Sequence, residues 1–137
     1  MTDSPRWLWL PRLLIAGILG QTLYFKFTGA PEAVALFTKL GVEPWGRLGL
    51  GVAEALLTVG VLLPRTYVLA GLGTVGLMSG AVFSHLTVLG IETNGDGGAL
   101  FFMALVAMAS GAAISWSRRR ALPVVGRWFQ DHAGARP

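Results

Sequence analysis

The sequence contains no cysteine and little charge: only 13% of its 137 residues are Asp, Glu, Lys or Arg, about half the ~25% usual in a soluble domain. Without cysteine this chain forms no disulfide, no thiolate metal site, no cysteine-ligated iron–sulfur cluster and no dithiol redox couple. Any electrons it handles must reside on a bound molecule or a partner. Seven acids and eleven bases cannot shield from water a chain that is 53% apolar. The net charge of +4 does not indicate nucleic acid, because the bases form no stripe interleaved with aromatics and most sit beside apolar runs.

What is present is apolar sequence in membrane-length runs. Spans are expected at about residues 12–27, 45–63, 67–89 and 98–116, each long enough to cross roughly 30 Å of hydrocarbon. Pro11 suits the first turn of the first span, and Trp7 and Trp9 precede it as interfacial anchors do. The N-terminal stretch superficially resembles a signal peptide. It is read as retained, because no small-residue cleavage site follows and Gln21 and Lys26 stand where one is expected. A soluble bundle needs a polar stripe on every helix, and the fourth run offers only Ser110 and Ser115. The expected architecture is therefore all-α: one integral membrane domain over 1–137, a four-helix bundle with a cytoplasmic tail at 117–137.

Counting Lys and Arg near the span ends gives Arg6, Arg12, Arg65, Arg118, Arg119, Arg120 and Arg127 on one side, against Lys26, Lys39 and Arg47 on the other. This bias puts both termini in the cytoplasm. Arg12 is expected to snorkel to inner-leaflet headgroups. Between the first two spans Ala33, Leu36, Phe37 and Leu40 recur at i, i+3, i+4 and i+7, which predicts a short amphipathic helix in the outer interface. In the tail, Val124, Val125, Trp128 and Phe129 are expected to touch the inner interface, and 131–137 to be disordered. Gly76-x-x-x-Gly80 and Ala107-x-x-x-Gly111 are small-residue pairs that permit close helix approach, within the chain or between copies.

Strongly polar residues in hydrocarbon each cost a few kcal/mol unless paired or hydrated. Here they are Gln21, Lys26, Glu54 and His85. Glu54 is near mid-span, beyond any snorkelling, so its carboxyl must be protonated, paired or facing a wet cavity. At about 1.5 Å per residue, Glu54 is about 12 Å, His85 about 6 Å and Gln21 about 6–9 Å from the outer end of their spans. Lys26 sits at the rim with a stem able to reach inward. Three helices thus place polar groups in the outer half of the membrane. Tyr24 and Thr28 are read as sharing Gln21's face, and Thr58 as sharing Glu54's. The candidate ligand-binding set is Gln21, Tyr24, Lys26, Glu54, Thr58 and His85, with Glu54 and His85 as candidates for proton exchange. The competing structural reading is a buried Glu–His or Glu–Lys pair that only fixes helix register. The connection from Ile91 to Gly98 does not match the spacing of a calcium loop and is read as a flexible outer turn over the site. No phosphate loop, nucleophile elbow, zinc motif or dinucleotide fingerprint is present.

Several short motifs in order resemble the DoxX and DoxX-like family of small bacterial four-span membrane proteins. They are Arg12-Leu13-Leu14-Ile15-Ala16-Gly17, Lys26-Phe27-Thr28-Gly29, Leu40-Gly41-Val42, Gly51-Val52-Ala53-Glu54-Ala55-Leu56-Leu57, Leu62-Leu63-Pro64-Arg65 and Gly80-Ala81-Val82-Phe83-Ser84-His85. The resemblance covers about residues 10 to 117 and implies a bacterial inner-membrane location. Relatives include a quinone-reactive subunit of a thiosulfate oxidoreductase and a membrane component of an oxidative-stress complex. The helix arrangement is similar to that of vitamin K epoxide reductase-like proteins, whose thiol chemistry cannot transfer to a cysteine-free chain. By resemblance, Lys26, Glu54 and His85 match positions where the family keeps polar residues. The implied function is a subunit of a membrane oxidoreductase system that binds a quinone or other lipophile, including lipid, with no covalent cofactor and no metal. The bilayer is its surroundings, and a redox protein or a second copy is a compatible partner. Two alternatives stand beside it: a non-catalytic scaffold for a partner complex, and a small proton-coupled transporter.

Overall fold

The computed structural model describes residues 4–122 and Arg127, and among these it is all-helical. The tail residues Val124, Val125, Trp128 and Phe129, and 131–137, lie outside the described residues. A 3-10 turn at Arg6–Leu8 leads into α1 (Trp9–Thr28), followed by α2 (Pro31–Lys39), α3 (Trp45–Leu62), α4 (Tyr67–Ser84) and α5 (Ala99–Ser117). All but α2 are long and apolar enough to cross a membrane, with the third such segment running on through Leu89. Their outer faces carry Leu56, Leu69, Phe83, Phe102 and Trp116, all well exposed. In water such a surface would aggregate; in a bilayer it is the solvated side. This is a multi-pass membrane protein.

Local sequence explains the element ends. Gly29 closes α1 in the left-handed conformation (φ 66°), its N–H donating to the Phe25 carbonyl, and Pro31 then opens α2 at a position where no N–H is needed. Leu63, which precedes Pro64, is extended and ends α3. α1 packs between α3 and α5, and α4 closes the ring against α5 and α3. α2 lies across one end of this ring, opposite the end that carries the start of α1 and the end of α5.

Two buried arginines tie α1 and α3 together reciprocally. Arg12, in the first turn of α1, donates from Nε to the Val61 carbonyl and from Nη2 to the Leu62 carbonyl, both at 2.7 Å. Arg47, in the first turn of α3, donates to the Lys26 carbonyl near the end of α1 and pairs with Glu43 at 2.8 Å. Each cation thus satisfies carbonyls that the partner helix leaves without an intrahelical donor, at the negative end of that helix's dipole. This corrects the expectation for Arg12. The residue is 1% exposed, and its guanidinium lies over the rings of Trp9 and Tyr67, at 3.9 and 4.6 Å from their centroids, rather than reaching out to headgroups.

The two small-residue pairs have different fates. A Cβ on Gly111 would stand 2.5 Å from the Gly71 carbonyl oxygen, so this glycine holds α4 and α5 in backbone contact. Gly76 and Gly80 meet nothing within 4 Å and face outward.

Candidate functional site

Beneath α2, all four long helices line one cavity of about 320 Å³. Its walls are mostly apolar: Ile18, Leu19 and Phe25 of α1, Leu50 of α3, Met78 and Ala81 of α4. Leu100, Met103 and Ala104 of α5 continue the lining. The apolar face expected for α2 forms the roof, since Ala33, Leu36, Phe37 and Leu40 all turn into the cavity. Lys39 Nζ of α2 approaches the Leu89 carbonyl at 3.4 Å, and Asn94 Nδ2 donates to the Glu32 carbonyl at 3.1 Å. The roof is therefore pinned on both flanks.

Polar chemistry enters these walls at few points. Lys26 Nζ and Glu54 Oε2 form an ion pair at 2.8 Å, with the residues only 9% and 4% exposed. The Thr22 hydroxyl also stands 2.8 Å from Glu54 Oε2 and from the Leu19 carbonyl. Glu54 therefore satisfies the paired alternative for a mid-span carboxylate, and its direct partner is Lys26, not His85.

His85, 5% exposed, lies where α4 widens into a π-helical turn at His85–Leu89. The wider turn brings the Gly90 N–H to the His85 carbonyl at 2.8 Å. It also puts the Gly90 carbonyl 2.8 Å from His85 Nδ1. A carbonyl oxygen only accepts, so Nδ1 carries the hydrogen, and in the neutral form of the ring Nε2 then presents a lone pair. Gly90, at φ 81° and ψ 168°, occupies backbone space essentially closed to other residues. Phe101 packs against the imidazole at 5.6 Å between ring centroids.

Of the six residues expected at the site, Lys26, Glu54 and His85 line this cavity and Gln21, Tyr24 and Thr58 do not. The reason is helical phase. Thr22 and Lys26, four residues apart, set the inward face of α1. Gln21 is one step, about 100°, off that face; its amide reaches Met103 Sδ at the bundle surface. Tyr24 points outward at 69% exposure and Thr28 bonds back to the Tyr24 carbonyl. Thr58 is satisfied by the Glu54 carbonyl within its own helix. Sequence reasoning missed Thr22, which the i, i+4 relation to Lys26 could have found, and it missed Ser84.

The 91–98 connection is more ordered than the flexible turn expected. Asp96 Oδ1 accepts from the Thr93 and Gly98 N–H groups and Oδ2 from the Leu100 N–H, which caps the first turn of α5. Burial acts to raise the Asp96 carboxyl, but these N–H donors and the Thr93 hydroxyl outweigh it and hold the group at about 2. Among the described residues no group of three His, Asp or Glu side chains is placed to hold a metal ion.

Fold and site together define a four-span helical membrane protein with a recessed, mostly apolar cavity that holds one ion pair and one imidazole. The model of the DoxX-like family matches residues 10–109, and the chain belongs to that family. No curated protein and no solved structure matches it.

Proposed function

We propose that the chain binds an isoprenoid quinone, or a ring compound of similar lipophilicity, in the cavity under α2. In this role it is a membrane subunit of an oxidoreductase system whose redox centre belongs to a partner. The observation that supports this most is convergence. Lys26–Glu54 on α1 and α3 and His85 in the π-helical turn after α4 line one space whose remaining walls are mostly aliphatic or aromatic, with Thr22, Glu32, Ser84 and Asn94 as the other polar residues. Lipophile sites have this composition, with apolar walls for affinity and a few polar groups for orientation and proton exchange. The cavity suits a substituted ring, with an isoprenoid tail lying among the lipids.

In this reading the membrane is the bacterial inner membrane and both termini are cytoplasmic. The charge bias supports that orientation more firmly once buried side chains are set aside. Arg12 and Arg47 cap helices and Lys26 is paired within the cavity. Arg6, Arg65, Arg118, Arg119, Arg120 and Arg127 then stand against Lys39 alone. The cavity lies in the outer half of the bilayer.

Native mass spectrometry of protein purified in mild detergent tests the reading. A retained quinone-class adduct is expected, diminished in Glu54→Gln. Protein free of any lipid-soluble adduct, with no titratable binding of added quinone, would contradict it.

A further inference from the structure

We infer that the cavity selects the reduced, hydroxyl-bearing form of its ring ligand, a hydroquinone or related hydroxyarene, over the oxidised quinone. The inference rests on the cavity's being the ligand site and concerns which chemical form it takes. It follows from the polar atoms that the fold leaves unengaged. With Nδ1–H committed to the Gly90 carbonyl, the His85 imidazole in its neutral form accepts through Nε2. No described residue donates to Nε2, and that nitrogen is not sealed in protein. Glu54 receives Lys26 and Thr22 on Oε2, which leaves Oε1 a second accepting atom without a protein donor.

Two accepting atoms without a protein donor therefore belong to residues that line the cavity, Glu54 of α3 and His85 of the π-helical turn. A quinone carries only acceptor oxygens, and set against Nε2 or Oε1 its carbonyls meet lone pairs with no hydrogen between them. A hydroquinone carries two O–H donors at opposite ends of one ring, and either can be taken up. Lys26 Nζ uses one hydrogen on Glu54 and can donate another to a ligand oxygen in either oxidation state, so it adds affinity without discriminating. A ligand that displaces water from such an acceptor without supplying a hydrogen bond leaves it buried and unpaired, which costs binding steeply. The π-helical turn has a specific part in this: by placing the Gly90 carbonyl at Nδ1, it fixes which ring nitrogen carries the hydrogen.

The test compares a decyl-substituted hydroquinone, its quinone, and its di-O-methyl ether. Each is titrated anaerobically by calorimetry into the full chain in lipid nanodiscs. The hydroquinone should bind about tenfold or more tighter than the quinone, as one or two satisfied acceptors imply, and the ether should bind no better than the quinone. His85→Phe should weaken hydroquinone binding more than quinone binding and so reduce the hydroquinone's advantage. Equal affinity for the two forms, or tighter quinone binding, would overturn the inference and leave the site reading intact. Binding of none of the three would overturn both. The wild-type comparison decides the matter even if the variant fails to fold.

Discussion

Lys26 Nζ and Glu54 Oε2 stand 2.8 Å apart in the interior, joining the last turn of α1 to the middle of α3. Removing one partner strands a charge in a medium that cannot solvate it, whereas removing both leaves an apolar gap. Glu54→Leu alone should cost about 3 kcal/mol or more, and Lys26→Met with Glu54→Leu should recover most of that loss. Thermal unfolding of the single and double variants in detergent checks this. A double variant no more stable than the single would show that the pair is not coupled.

The reciprocal arginine caps predict a second pattern. Arg12→Gln should destabilise by about 2 kcal/mol or more, since two desolvated carbonyls lose a charged donor. Arg12→Lys should restore only part of this, because an ammonium cannot reproduce the planar fork that serves Val61 and Leu62 together. Unfolding midpoints of the two variants provide the measurement.

Asp96 makes stability depend on acid pH. Its carboxyl titrates at about 2 in the folded protein, below the ordinary value of about 4. A depressed carboxyl contributes stability in full above the unfolded value, and that contribution is lost as pH falls from about 4 towards about 2. Asp96→Ala should lower stability near neutrality by about 1 kcal/mol, as loss of a helix cap does. The variant should also show a shallower decline in acid, measured as unfolding midpoint against pH.

The glycines separate internal contact from outward surface. Gly111→Ala drives a methyl into the Gly71 carbonyl and should cost about 1–3 kcal/mol, as overpacking does. Gly76→Ala and Gly80→Ala meet open space and should leave the monomer's unfolding midpoint unchanged or slightly raised. A loss of stability at Gly76 or Gly80 would mean that this outward face is occupied by another chain.

Hydrophobic run length made the four spans legible, and the i, i+3, i+4, i+7 pattern gave α2 along with the face it buries. Depth was equally readable, because residue count fixes height along a helix, and so Lys26, Glu54 and His85 were found as residues too costly to leave in lipid. Rotation was not. On the fourth span only small residues mark the inward face, Ala107, Ser110, Gly111 and Ser115, all buried, and on α1 the polar Gln21 draws attention one step away from Thr22. Arg12 was misjudged because snorkelling and carbonyl capping both suit a cation near a span end, and only the position of the α3 C-terminus decides between them. The π-helical turn at His85 left no signal that periodicity could detect, although Gly90 marks its end.

The central claim is that a lipophilic ring occupies the cavity under α2. Photo-crosslinking with a diazirine-bearing quinone in nanodiscs, read out by peptide mass spectrometry, tests it most directly. The account predicts adducts on cavity residues such as Leu36, Phe37, Met78 and Met103, and their loss when unmodified ligand is added in excess. Adducts confined to outward residues such as Leu56, Phe83 and Phe102, and insensitive to competitor, would contradict it.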